Sequence, residues 1–182
     1  MEHPLLHTGA MTNKSPPAEV ADPRKGQAPY ADLWARPGFL IRRLHQIHVA
    51  VFMDEFGDCD VTPVQYAVLS VLYSGEALDQ VSVAAEVGID RNNAADVLRR
   101  LERRGFVQRI SSEADRRAKL TRISALGRNF VENAHSAMER AQERFTGGLK
   151  DRDRARLLDL LQKLMLENNE TGRAALKKRK KT

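Results

Sequence analysis

Between residues 90 and 122 the chain carries ten basic side chains against five acidic ones. Arg91, Asn92 and Asn93 stand together there, and Asp96, Arg99 and Arg103 follow. Guanidinium and carboxamide heads are the two that pair bidentately with base edges, arginine with guanine and asparagine with adenine. Each good pair discriminates by ~1–3 kcal/mol. Phosphate attraction by itself needs no amides, so amides beside Arg91 point to base reading. Arg99 and Arg103 lie further along and suit phosphate oxygens. Asp96 would repel a phosphate; it suits accepting from cytosine or orienting an arginine.

These residues need a rigid carrier. Ala94, Val97, Leu98 and Leu101 recur at helical spacing behind Asp90, a good N-cap, and Gly105 ends the run. Asn92, Asp96, Arg99 and Arg103 then fall on the opposite side, flanked by Asn93 and Arg100. Just upstream, Asp79 caps a short helix holding Val81, Ala84, Ala85 and Val87, stopped by Gly88. Two helices over 79–87 and 90–104 joined by so tight a turn have helix-turn-helix spacing, in which the N-terminal end of the second helix points deepest into the major groove. The period then changes. Residues 106–110 and 119–123 alternate like two strands of a hairpin around a polar turn, which makes the unit a winged helix.

Further helices flank this unit. Leu40, Leu44, Ile47 and Val51 share one face of a helix that opens at Pro37, and Thr62-Pro63 caps and starts another running to about Tyr73. Ser124 caps a long helix with Phe130, Val131, Ala134, Met138, Ala141 and Phe145 on one side. After Gly147-Gly148, a last helix from Asp151 aligns Leu157, Leu160, Leu161, Leu164 and Met165. Residues 1–30 hold five of the seven prolines, and residues 171–182 hold six basic residues and no acidic one. The expected division is a disordered tail over 1–30, an N-terminal dimerisation and ligand helix over 31–57, a winged helix-turn-helix over 58–123, C-terminal dimerisation helices over 124–170 and a basic tail over 171–182. The fold class is mainly α.

The run LeuArgArgLeuGluArgArgGlyPheValGlnArg at 98–109, AspArgArgAla at 115–118 and IleSerAlaLeuGly at 123–127 is similar to the signature of the MarR family of bacterial transcription regulators. Ile123-Ser124 replaces the family's usual Leu-Thr, and both changes are conservative. The resemblance spans roughly residues 37–168. It implies a homodimer held by the N- and C-terminal helices and bound to double-stranded DNA at a palindromic operator. In the wing, Arg116 and Arg117 are basic enough for a narrow minor groove. The resemblance gives that contact to Arg117, with Asp115 bracing it.

Relatives of this kind release DNA when a small molecule binds between the dimer helices and the winged domain. The stretch ArgProGlyPheLeuIleArgArgLeuHisGlnIleHis resembles a subgroup that senses aromatic acids or their coenzyme A thioesters. Trp34, Arg36, Phe39, Arg43 and His48 are the candidate effector-binding residues, because aromatic faces with cations suit a planar anion. The alternative is a non-sensing winged-helix module for protein interaction or DNA architecture.

Other classes are disfavoured. The single Cys59 excludes an intramolecular disulfide and any multi-cysteine zinc finger, and Asp58 and Asp60 disfavour its thiolate. His45 and His48 have chelating spacing but no evident third ligand, so no metal and no cofactor is expected beyond the effector. No nucleotide-binding loop, nucleophile elbow or metalloprotease helix occurs, so no enzyme is expected. Neither a signal sequence nor a run of 18 apolar residues is present, which predicts a cytoplasmic protein with no membrane association.

Overall fold

A computed structural model describes residues 33–111, 119–172 and 175. The expected tail over 1–30, most of the basic tail, and the hairpin tip with Asp115, Arg116 and Arg117 lie outside the described residues. The chain divides into two units, residues 1–42 and 43–182. In the first, a turn (Arg36 N–H to Leu33 O, 3.2 Å) leads into the start of helix α1 (Pro37–Phe56). Trp34 meets Phe39 edge-on with centroids 5.6 Å apart, and the Arg42 guanidinium sits 5.5 Å from the same Phe39 ring.

The second unit continues α1 and adds α2 (Pro63–Tyr73), β1 (Leu78–Asp79), α3 (Gln80–Val87), α4 (Arg91–Arg103), β2 (Val107–Ser111), β3 (Lys119–Ile123), α5 (Ala125–Thr146) and α6 (Asp151–Glu167). Each cap expected from the sequence forms. The Thr62 hydroxyl accepts from Gln65 N–H while the Gln65 side chain accepts from Thr62 N–H, a reciprocal box that satisfies two orphan donors. Asp79 accepts from Val81 and Ser82, and Asp90 from Asn92 and Asn93. Gly88 closes α3 at φ 74°, a left-handed conformation that glycine adopts without a Cβ clash.

The sequence predicted a two-stranded hairpin, whereas the structure has a three-stranded sheet in the order β1-β3-β2. Leu78 pairs with Thr121 and Asp79 with Leu120, and β2 pairs with β3 from Val107↔Ile123 to Ser111↔Lys119. Two residues are too short a strand to leave an alternating pattern. Leu78 is nevertheless buried, so the strand anchors the wing to the front of α3.

One core holds the second unit together. Phe52, Val61, Val68, Leu69, Leu72, Val83 and Leu101 are fully buried. Phe52 and Phe56 stack at 3.9 Å, and Tyr66 closes on both edge-on. Gly127, part of the signature run, lies so close to Phe106 O that an added Cβ would stand 2.2 Å from it. Only glycine permits α5 to start there. Ser124 Oγ meanwhile accepts from Gly127 N–H and donates to Gly105 O. That close approach joins the end of α4, the wing and α5. A second link runs from α1 to α5: Arg140 and Arg144 both pair with Glu55, at 2.9 and 3.1 Å, and Arg144 also pairs with Asp54.

Candidate nucleic-acid interface

The physical basis of the site is the contrast between the two sides of α4. Ala94, Val97, Leu98 and Leu101 are buried, while Arg91, Asn92, Asn93, Asp96, Arg99, Arg100 and Arg103 are exposed. The sequence-predicted residues Arg91, Asn92, Asn93, Asp96, Arg99 and Arg103 therefore share the solvent-facing side of one helix. Its N-terminus is fixed at two points. Asp90 takes the first free N–H groups and also accepts from the Asn93 side-chain amide. The Asn93 N–H contact, ahead of that from Asn92, holds the Asp90 carboxyl below its ordinary pKa against a smaller opposing desolvation. The second fixture was not foreseen: the Gln80 side-chain amide of α3 donates to Arg91 O at 2.9 Å. It locks the two helices of the helix-turn-helix at the point where the candidate base-reading residues begin.

The arginines of α4 have unequal roles. Asp96 pairs with Arg99, which fits the orienting role considered for Asp96. Arg104 is structural: it donates to the carbonyls of Asp60 and Cys59 and lies 4.9 Å from the Phe106 ring. Glu102 pairs across to Arg109 of β2 at 3.1 Å. Arg122 of β3 is exposed and sits opposite Gln108 in register, a wing cation that the sequence reading did not single out.

The predicted effector residues fall into separate settings. Trp34, Arg36 and Phe39 belong to the first unit, where Trp34 and Phe39 are in ring contact. In the second unit Arg43 donates to Gln46 at 3.2 Å. His48 packs on Phe145 at 5.3 Å and Phe52 at 6.4 Å; burial, then the nearby His45, lowers its pKa. A groove of about 480 Å³ opens instead between α2 and α5, lined by Tyr66, Ser70, Tyr73, Val131, Glu132 and His135. On its wall the Tyr73 hydroxyl donates to Glu132 at 2.9 Å, which raises the phenol's pKa. Arg128 lies 4.9 Å from the Tyr73 ring and donates to Tyr73 O. In the sequence, Tyr73 reads as an ordinary helix residue, because its partners Arg128 and Glu132 lie 55 and 59 positions away. Among the described residues, no three His, Cys, Asp or Glu side chains group to hold a metal ion. No helix there is long and apolar enough to cross a membrane.

A three-helix unit whose last helix presents arginine and amide heads, followed by an antiparallel wing, defines the winged helix-turn-helix class. The MarR family pattern matches residues 61–119, from α2 to the start of β3. A putative transcriptional regulatory protein for the hcr operon of Thauera aromatica is 30% identical over 111 residues, covering 61% of this chain and 67% of that protein. The structure also superposes on Bordetella bronchiseptica BpsR, whose DNA binding is regulated by 6-hydroxynicotinic acid. That match has a TM-score of 0.68 and 32% identity, and covers 71% of this chain and 92% of BpsR. Streptomyces coelicolor PcaV, solved in complex with its natural ligand, gives a TM-score of 0.68 and 32% identity, covering 73% of this chain and 94% of PcaV. The chain belongs to the MarR family and is a winged-helix transcriptional regulator.

Proposed function

We propose that the protein is a homodimeric repressor that reads a palindromic DNA operator with α4 and lets go when a small aromatic ligand binds. The observation that carries the reading is the N-terminal end of α4: Arg91, Asn92 and Asn93 are exposed there on a helix pinned by Asp90 and Gln80. Arg116 and Arg117 are the proposed wing contacts. Exposed apolar side chains support dimerisation: Leu44 and Ile47 on α1, and Leu158, Leu160, Leu161, Leu164, Met165 and Leu166 on α6. A two-fold dimer would set its recognition helices about one DNA turn apart, ~34–36 Å.

The ligand reading draws on BpsR and on the ligand-bound PcaV. The α2–α5 groove has a volume that suits a single-ring compound. Trp34, Arg36, Phe39, Arg43 and His48 remain the proposed effector residues, each to be tested singly, and the ligand class is an aromatic acid or its coenzyme A thioester. A ligand in either place weakens DNA binding only by preferring a dimer with a different helix spacing.

Selection of duplexes from a random pool, followed by gel shift, tests the core of this reading. A two-fold symmetric consensus is expected, and Arg91→Ala should flatten the preference for it. Recovery of no symmetric sequence would overturn specific operator binding. Calorimetry against aromatic acids and their thioesters tests the ligand class, with no heat from either panel as the outcome that rejects it.

A further inference from the structure

Two adjoining clefts beside the C-terminal half of α4 share Arg100 and Arg103. One, of about 370 Å³, faces the α1–α2 turn and includes Asp60, Thr62, Gln65 and Arg104; the other, of about 520 Å³, includes Asp96, Arg99 and Glu102. The nearby charges are mostly committed. Asp96 goes to Arg99, Glu102 to Arg109, and Arg104 to two backbone carbonyls, with the exposed Asp60 carboxylate no closer than 4.0 Å. Among the described residues, the Arg100 and Arg103 side chains have no hydrogen-bond or ion-pair partner. They are three residues apart on the helix, so two like charges stand side by side. An oxyanion placed between them would relieve that repulsion and suit the guanidinium fork.

We propose that Arg100 and Arg103 form a phosphate clamp that holds the DNA backbone at the rim of the major groove, separate from the base-reading end of α4. This rests on the reading that α4 lies in the groove. At 1.5 Å per residue, Arg100 is ~14 Å and Arg103 ~18 Å along the axis from Arg91. The major groove is about 12 Å wide. With Arg91 over the base edges, the clamp reaches the lip where the sugar–phosphate chain runs. Asp96 screens Arg99 from the same role, so the sequence's phosphate pair, Arg99 and Arg103, becomes Arg100 and Arg103. The chemistry shared by all occupants is a phosphate oxyanion; DNA is the source favoured by the position on α4.

The test uses the full-length protein, a selected symmetric duplex and a scrambled duplex of equal length, each titrated across salt concentrations. Arg100→Ala/Arg103→Ala should weaken both duplexes by the same factor. It should also reduce the slope of log affinity against log salt by about two, since each phosphate that is no longer neutralised removes ~0.9 from the slope. Arg100→Lys/Arg103→Lys should keep most of the slope. An unchanged slope overturns the clamp. Loss of preference for the selected duplex also overturns it, because the pair would then be reading bases. Pyrophosphate in a thermal-shift assay covers the other source: a stabilisation abolished by the double alanine variant, with the salt slope intact, would place a free phosphorylated compound there and reject the DNA backbone. If the wild-type protein itself prefers no duplex, the operator reading fails, which is a different result from a variant that matches a competent wild type.

Discussion

Helices α4 and α6 carry the same kind of pattern and meet opposite ends. Both align apolar side chains on one face with charged ones on the other. In α4 that face disappears into the core, with Leu101 fully buried and Leu98 nearly so. In α6 the leucines other than the half-buried Leu157 stay exposed, and no residue is buried. Amphipathic spacing therefore says that a face will be covered, but not by which chain. The first helix stabilises the fold it belongs to, whereas the second leaves its apolar surface exposed.

Four measurements put that contrast between α4 and α6, and the packing around it, to the test. The largest effect is expected from Leu161→Asp/Leu164→Asp. Light scattering should show a dimer become a monomer that remains folded. Operator affinity should fall about a hundredfold or more, because two half-sites are no longer held together. A stable dimer after this change would assign α6 another role. Next, Leu101→Ala should cost about 3 kcal/mol in chemical denaturation, as a fully buried leucine is removed and a cavity left. A loss below ~1 kcal/mol would mean that the α4 face is less tightly packed than its burial implies.

Ser124→Ala should cost about 1 kcal/mol, the usual value for an N-cap, and lower the melting temperature by a few degrees. Because Ser124 also donates to Gly105 O, the effect should extend to hydrogen-exchange protection at the end of α4. The smallest change concerns pH. Hydrogen bonds from Arg140 first, then Arg144, hold the Glu55 carboxyl below its ordinary 4.5. A depressed carboxylate adds stability above its unfolded pKa, and that contribution is lost as pH falls through the folded value. Glu55→Gln should flatten the acid limb of the stability curve and leave oligomeric state unchanged at neutral pH. An acid limb identical to wild type would show that the α1–α5 ion pairs contribute nothing measurable.

Much of the fold was legible because its signals are local. Thr62, Asp79, Asp90 and Ser124 cap their helices by bonding to backbone groups two or three residues on, and such bonds need no knowledge of the rest of the chain. The arginines and amides of α4 were legible for the same reason, since a buried stripe fixes what lies opposite it. The face of α1 was harder to assign. Leu40, Leu44 and Ile47 remain exposed, while Phe52 and Phe56 go into the core, because the bulkier aromatic residues fill the space against Tyr66.

Legible in the amino-acid order alone were the succession of helices and wing hairpin, their ends, the chemistry of α4 and the resemblance to the family. Tertiary structure decided which cations are already matched. Arg104 is held by carbonyls more than forty residues away, Glu102 is paired with Arg109 of β2, and among the described residues the Arg100 and Arg103 side chains have no partner. It also decided that Leu78 and Asp79 join the wing and that Tyr66, Tyr73, Glu132 and His135 face one groove. The physical reason is range: capping and periodicity act within a few residues, whereas charge pairing, strand addition and groove formation depend on segments that only folding brings together.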